Sequence, residues 1–492
     1  MSADYDLVIR CGTLASAAEV FEADIGIKDG IIAALGRNLP RGVEEISAKG
    51  MVVTPGGIDS HCHIEELGQD GSVHKESFAT GSATALAGGT TSFICFLPQW
   101  KGHSLADSAP GYAARAAASR ANYSFHQIIT DPTPEVLRTE LPALVARGIR
   151  SFKVFLTYDP LRLTDREFIE VLAAARRLRH RALRELRRHR LAHRGAAARR
   201  ADRPVAARLV PPAGGGAGGD APRNRAGGAG GPAHPGLPRL LRGSGGRDRR
   251  RPRARGLKVW GETCPQYLTP SHADLQGADF AGAKAVCSPA LREAGENARV
   301  WKRIQHGTLD VVTSDHCGFS FATQKKVAGS SAYGTGTAAS RPDGTPVFNA
   351  IPNGVPGIET RMPVLFSEGV SKGRIGLPAF VRLTSANAAK LFGLGDRKGS
   401  LMPGTDADLV LWDPDAERTI RNAALHHAID YTPWEGMAVK GWPNITIRRG
   451  AVAARDGEVL APPGSGRFLP RGPYALARPR GVVPDGFDAA SA

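Results

Sequence analysis

Apolar and polar residues alternate over short distances at both ends of this chain. DYDLVIRCGTL, ADIGIKDGIIAALG and GMVVTPGG read as brief strands, broken at KDG and KG turns, and predict a small antiparallel unit over residues 1–55. The same texture returns in DADLVLWDP and AVKGWPNITIRRGAVAARDGEVL, within residues 399–465. Two strand-rich ends around a long middle predict one β-sandwich domain assembled from both parts of the chain. Residues 466–492 are rich in Pro and Gly and predict an extended C-terminal tail.

The middle has a different period. Short apolar runs (TTSFICFLP, SFHQIIT, SFKVFLTY, LKVWGE, LDVVTSD) alternate with helical patterns through YAARAAASRA, EVLRTELPALVARG and REFIEVLAAARRLR. Buried strands separated by helices imply an α/β fold with a parallel sheet. Over residues 56–398 the economical closed arrangement is a (β/α)8 TIM-type barrel. Such barrels place their chemistry at the carboxyl ends of the strands, so the polar residues that end each run are the candidates.

The formal charge of +17 would by itself suggest a nucleic-acid or membrane partner. Its location changes that reading. Residues 181–250 hold 17 Arg, no Lys and 4 acidic residues, a net of +13, and the rest of the chain carries the remaining +4. That segment has no interleaved aromatics, so no nucleic-acid partner is expected. No window approaches eighteen consecutive apolar residues, so no membrane span is expected. Asp4 and Asp6 interrupt the place where a signal peptide needs an apolar stretch. Cys11, Cys62, Cys95, Cys264, Cys287 and Cys317 are scattered, which suits free thiols in a reducing cytoplasm.

Three strand ends carry candidate chemistry. In GGIDSHCHIEE, His61 and His63 are two apart and face one side of a strand, where two imidazoles can hold a divalent metal. The alternative is a pair of satisfied core or surface histidines. In SFKVFLTY, Lys153 lies inside an apolar run; it is paired, neutral, chemically altered to a carbamate, or snorkelling to the rim. In LDVVTSDHCGF, Asp315 follows an apolar run and could bind metal and carry a proton, or simply form a turn.

Taken in order, His-x-His, Lys and Asp resemble the amidohydrolase superfamily, and more closely its dihydropyrimidinase and D-hydantoinase branch. The resemblance runs through VVTPGGIDSHCHIEE, SFKVFLTYD, GLKVWGETCPQYL, CSPALRE, VVTSDHCGF, IPNGVPGIETRMPVLF, TSANAAKLFGL, GTDADLVLWDP and YTPWEGMAVKGWP, about four fifths of the chain. It implies that His61, His63 and Asp315 bind one Zn²⁺ or similar ion, with carboxylated Lys153 bridging to a second. It implies that Tyr158 donates to the developing oxyanion, and that main-chain groups at Ser288 and Asn353 hold the ring's amide edges. From the residues alone, those last two read as plain turn formers. The implied reaction is hydrolysis of a cyclic amide or imide, with dihydropyrimidines or 5-substituted hydantoins giving N-carbamoyl amino acids. Asp315 takes the water's proton and passes it to the leaving nitrogen. An allantoinase-like enzyme and a non-catalytic, dihydropyrimidinase-like assembly protein are the alternatives. A homotetramer is likewise implied by resemblance.

The family needs two further histidines between Lys153 and Cys264, an interval occupied largely by the Arg-rich segment. In residues 181–250, 52 of 70 positions are Arg, Ala, Gly or Pro, an alphabet from which two buried strands are not expected. Arg, Ala, Gly and Pro are what GC-rich coding sequence yields when read out of frame. With permitted synonymous codons, a one-base shift turns ALRELRRHRLAHR (182–194) into HCENYDAIAWLT and GLPRLLR (236–242) into AFHVSC. Both resemble the family's missing His strand ends. On this reading, residues of about 181–255 are frame-shifted, His189, His193 and His234 are not ligands, and the chain as written is poorly folded and weakly active or inactive.

Overall fold

A computed structural model describes residues 3–66, 74–156, 161–175, 178, 206–210 (backbone), 260–269, 280–292, 295–327, 344–346 and 350–472. Five strands come from the first part of the chain: β1 (Tyr5–Ala15), β2 (Val20–Lys28), β3 (Ile31–Gly36), β4 (Gly42–Ser47) and β5 (Val52–Pro55). They share one nine-stranded sheet with four strands from the later part, Leu409–Thr419, Ala438–Arg448, Ala451–Arg455 and Glu458–Val459. β5 pairs antiparallel with Leu409–Thr419 and parallel with β1, so the two ends of the chain meet along it. One apolar cluster spans the join: Leu7, Ile9, Ile25, Ile27, Val53, Leu409, Leu411, Ile445 and Ile447. Alternation in the sequence puts these side chains on one face, and their removal from water drives the two ends together.

After Gly56 the chain passes directly from β5 into a second, parallel sheet. Its next strands are β6 (Gly57–His63), β7 (Thr90–Leu97), β8 (Asn122–Ile128), β9 (Ser151–Phe155) and β10 (Ala206–Val210). They lie side by side in that order, and His316–Cys317 pairs parallel with the outer edge of β6. A separate parallel pair joins Glu262–Thr263 to Val311–Val312. Every residue of β6, β7, β8 and β9 is buried, the signature of a parallel sheet covered on both faces. Helices α1 (Phe78–Ala87), α2 (Leu105–Ala116) and α3 (Leu141–Ala146) make the crossovers. Ser77 with Thr80 and Ser104 with Asp107 form capping boxes that start the first two. α1 ends at Gly88, and Gly89 turns the chain into β7 at φ +82°, which a side chain would strain.

Buried cations tie the strand bases together. The fully buried Arg361 donates to the carbonyls of Ile58 (3.4 Å), Val312 (3.0 Å) and Thr384 (3.4 Å), and to Thr90 Oγ1 (2.8 Å). Arg471 donates to Ser124 Oγ (3.0 Å), Ser151 Oγ (2.5 Å) and the Phe125 carbonyl. This second cation alters the expectation of an extended tail. Residues 466–472 dock along β8, with Leu469 N–H donating to the Tyr123 carbonyl at 2.7 Å and Leu469 and Arg471 almost wholly buried. The side chains that dock it are spaced without a period, so composition reads as tail. Residues 473–492 lie outside the described residues.

The Arg-rich segment also departs from expectation at one place. Ala206–Val210 forms β10 and pairs in parallel register with β9, Arg208 facing Lys153 along the backbone ladder. AARLV supplies Leu and Val, enough β-forming character for one strand. The remainder of 181–255 lies outside the described residues, as does Tyr158.

Candidate metal centre

His61 and His63 sit at the carboxyl end of β6, on the same face and both buried, with ring centroids 5.5 Å apart. Asp315 reaches them from the strand alongside. Its Oδ1 lies 2.8 Å from His61 Nε2 and 3.6 Å from His63 Nε2. The backbone that carries it has φ +49°, sparsely populated by any residue except Gly, Asn and Asp, and its N–H donates to the His61 carbonyl at 2.9 Å. Burial alone would raise the Asp315 pKa. The adjoining imidazoles of His61 and His63 outweigh burial and hold the carboxyl well below its usual range.

Each imidazole is fixed from behind by a second carboxylate. His61 Nδ1 pairs with Glu262 Oε1 at 2.8 Å, and Thr313 Oγ1 donates to the same oxygen at 2.8 Å. His63 Nδ1 pairs with the fully buried Glu66. Burial pushes the Glu66 carboxyl up, but His63, His74 and Lys153 together bring it down to about 2. With both Nδ1 atoms engaged, the Nε2 atoms face Asp315. The ligand atoms of His61, His63 and Asp315 lie within 4.8 Å of one another. Two imidazoles and one carboxylate, oriented by outer carboxylates, form the nitrogen and oxygen donor set that Zn²⁺ and similar ions take. The donors present therefore fit a divalent metal.

Lys153 joins this group from β9. Its Nζ is 3.3 Å from His63 Nε2 and lies over the rings of Phe96 (3.7 Å) and Phe155 (4.9 Å). At 1 % exposure it does not snorkel to the rim. Ser288 and Asn353 are half-buried on two adjoining segments. Gly354 N–H donates to the Val286 carbonyl at 3.1 Å and so links them, and Cys317 N–H donates to Val355 at 3.0 Å beside Asp315. Gly354 needs its freedom: at φ +155°, a Cβ there would sit 2.6 Å from that of Cys317. Burial lifts the Cys287 thiol to about 12, and the charge of Asp315 contributes to the rise, so this segment feels the candidate centre.

The structure thus brings together His61, His63, Lys153 and Asp315, and sets Ser288 and Asn353 on segments bonded to one another. Sequence reasoning missed Glu66 and Glu262. HIEE offered two acids, and only the turn after β6 selects the second; Glu262 is 201 residues from the histidine it holds.

A family model for the amidohydrolase family matches residues 256–453. A D-hydantoinase of Geobacillus stearothermophilus is 37% identical over 500 residues, covering 97% of this chain and 99% of the relative. The chain belongs to the hydantoinase family. A D-phenylhydantoinase of Escherichia coli is 36% identical to this hydantoinase-family chain over 498 residues, covering 95% of it and 98% of the relative. Among solved structures, dihydropyrimidinase from Brevibacillus agri is similar with a TM-score of 0.76 and 32% identity, covering 95% of this chain and 99% of that one. Among the described residues of this family member, no helix is long and apolar enough to cross a membrane.

The outer carboxylates give a first test. Glu262→Gln should weaken Zn²⁺ binding about 10- to 100-fold while leaving the ligands themselves intact. Competition against a chromophoric chelator measures this, and unchanged affinity would remove Glu262 from the account.

Proposed function

We propose that this chain is a metal-dependent cyclic amidase, opening dihydropyrimidines or 5-substituted hydantoins to N-carbamoyl amino acids. The observation that carries the reading is the convergence of His61, His63 and Asp315, with Lys153 beside them, at adjoining strand ends. In this reading residues 56–398 close into a (β/α)8 barrel, and residues 1–55 and 399–465 form the β-sandwich. The assembly is a cytoplasmic homotetramer.

His61, His63 and Asp315 would hold one Zn²⁺ or similar ion, and Lys153, once carboxylated by carbon dioxide, would supply an anionic ligand shared with a second. When bound, these ions supply Lewis acidity and make water nucleophilic near neutral pH. The chain's own residues do the rest. Asp315, kept ionised by the imidazoles, accepts the proton of the attacking water and returns it to the ring nitrogen as the C–N bond breaks. Tyr158 donates to the carbonyl oxygen as it gains charge. Main-chain groups at Ser288 and Asn353 hold the two amide edges of the ring, so the reacting carbonyl is presented in one orientation.

Residues of about 181–255, in this reading, are coding sequence translated out of frame. The chain as written keeps the first metal's ligands and lacks the two histidines of the second, which lowers its activity. Assays of the frame-restored protein on dihydrouracil, 5-substituted hydantoins and allantoin, with metal analysis, test the reading. Ring opening of either of the first two supports it; product from allantoin alone, or from none of the three in metal-loaded protein, contradicts it.

A further inference from the structure

The stretch SFATQKK, just beyond Asp315, contains a lysine with no exposed surface. Lys325 closes the single helical turn Phe321–Lys325, and its Nζ donates to three main-chain carbonyls: Ala283 (2.9 Å), Val286 (3.0 Å) and Pro352 (3.1 Å). Among the described residues no carboxylate pairs with it. Burial pushes its pKa down to about 7, the mark of a site where an ammonium group is held at a cost. An apolar side chain of similar length would fill this space more cheaply but would leave the Pro352 carbonyl without its donor, and the carbonyls of Ala283 and Val286 with one main-chain donor each. In its ammonium form lysine carries three N–H groups on one atom, one for each of these carbonyls.

The acceptors show what the lysine joins. Ala283 and Val286 belong to the segment that leads into Ser288; Pro352 immediately precedes Asn353. The same two segments share one direct main-chain bond, Gly354 N–H to the Val286 carbonyl. The turn that presents the lysine is itself anchored: Asp430 accepts from Phe321 N–H (2.6 Å), Ala322 N–H (2.9 Å) and Ser320 Oγ (3.1 Å). One chain of contacts therefore runs from Asp430 through the turn and Lys325 to both segments.

We infer that Lys325 is a positioning residue: its tripod of hydrogen bonds sets the spacing between the main-chain groups at Ser288 and Asn353, and so the grip on the cyclic amide. This rests on the proposed ring-holding role of those two positions. Lys325 touches neither the metal ligands nor, in this account, the substrate, so its loss changes ligand affinity and local order and leaves the metal site as it was.

The experiment compares the full-length chain with Lys325→Met. Hydrogen exchange is followed by mass spectrometry, Zn²⁺ affinity by chelator competition, and dihydrouracil affinity of the Zn²⁺-loaded protein by calorimetry. Peptides spanning 283–288 and 350–354 should exchange at least about tenfold faster, and dihydrouracil should bind about tenfold more weakly, with Zn²⁺ affinity and exchange in β6–β9 unchanged. If Lys325→Met does not fold, Asp430→Ala loosens the turn and should produce smaller changes in the same two segments. Unchanged exchange there, or faster exchange with unaltered dihydrouracil affinity, overturns the proposal. If the chain as written binds no dihydrouracil, the affinity comparison is made on the frame-restored protein, whose own failure to bind counts against the cyclic-amidase reading, and the exchange result still decides whether the tripod orders the two segments.

Discussion

Rewriting residues 181–255 in the adjacent reading frame is expected to raise turnover of a 5-substituted hydantoin by about a thousandfold or more over the chain as written. The size follows from what the change restores. On the proposed reading, two imidazoles return in the segment after β9, and with them the ligands of a second ion. A metal acting as Lewis acid lowers a barrier by several kcal/mol, and about 4 kcal/mol corresponds to a thousandfold in rate. The restored segment should also exchange an Arg, Ala, Gly and Pro alphabet for one containing Ile, Tyr and Trp, whose larger apolar side chains stabilise more when buried. Thermal unfolding should therefore sharpen and move upward together with activity. Sequencing the gene gives an independent check, since a single intact frame through this region would refute the slip.

The second large effect concerns Lys153. In the restored protein, Lys153→Met is expected to lower turnover about a thousandfold and to release one metal of each pair, with the thermal stability of the metal-stripped protein unchanged or slightly raised. The direction of the stability change separates two roles. Nζ lies over Phe96 and Phe155 in a buried pocket, so a methionine fits the apolar walls and removes a costly cation. A lysine serving only to pack would lose little activity when replaced this way. Metal content by mass spectrometry, kcat and, after metal stripping, the unfolding midpoint, measured on the same preparation, make the comparison. Retained turnover with two metals bound would remove Lys153 from the centre.

Much of this was legible from the chain because its elements carry strong local signals. β7 reads TTSFICFL, eight residues without Gly, Pro, Asn or Asp, and is buried along its whole length. His61 and His63 were legible because a two-residue spacing on a strand leaves only one face for both. The shared sheet of β1–β5 with the later strands was foreshadowed by alternation at both ends, though its register was not. What escaped reading acts through distance. Glu262 orients His61 from another strand, Lys325 reaches carbonyls 27 to 42 residues away, and Arg471 bonds Ser124 and Ser151 from over 300 residues downstream. No periodicity marks such residues, because a single long side chain meeting main-chain acceptors leaves no repeating trace. β10 escaped for the opposite reason: AARLV is a weak strand by composition and takes its place through a ladder with β9.

Stepwise metal removal from the frame-restored protein bears most directly on the central claim. Turnover of hydantoin should track occupancy, vanish when the protein is stripped, and return fully as about two equivalents of Zn²⁺ per chain are added back in the presence of bicarbonate. Turnover that survives complete stripping would contradict it.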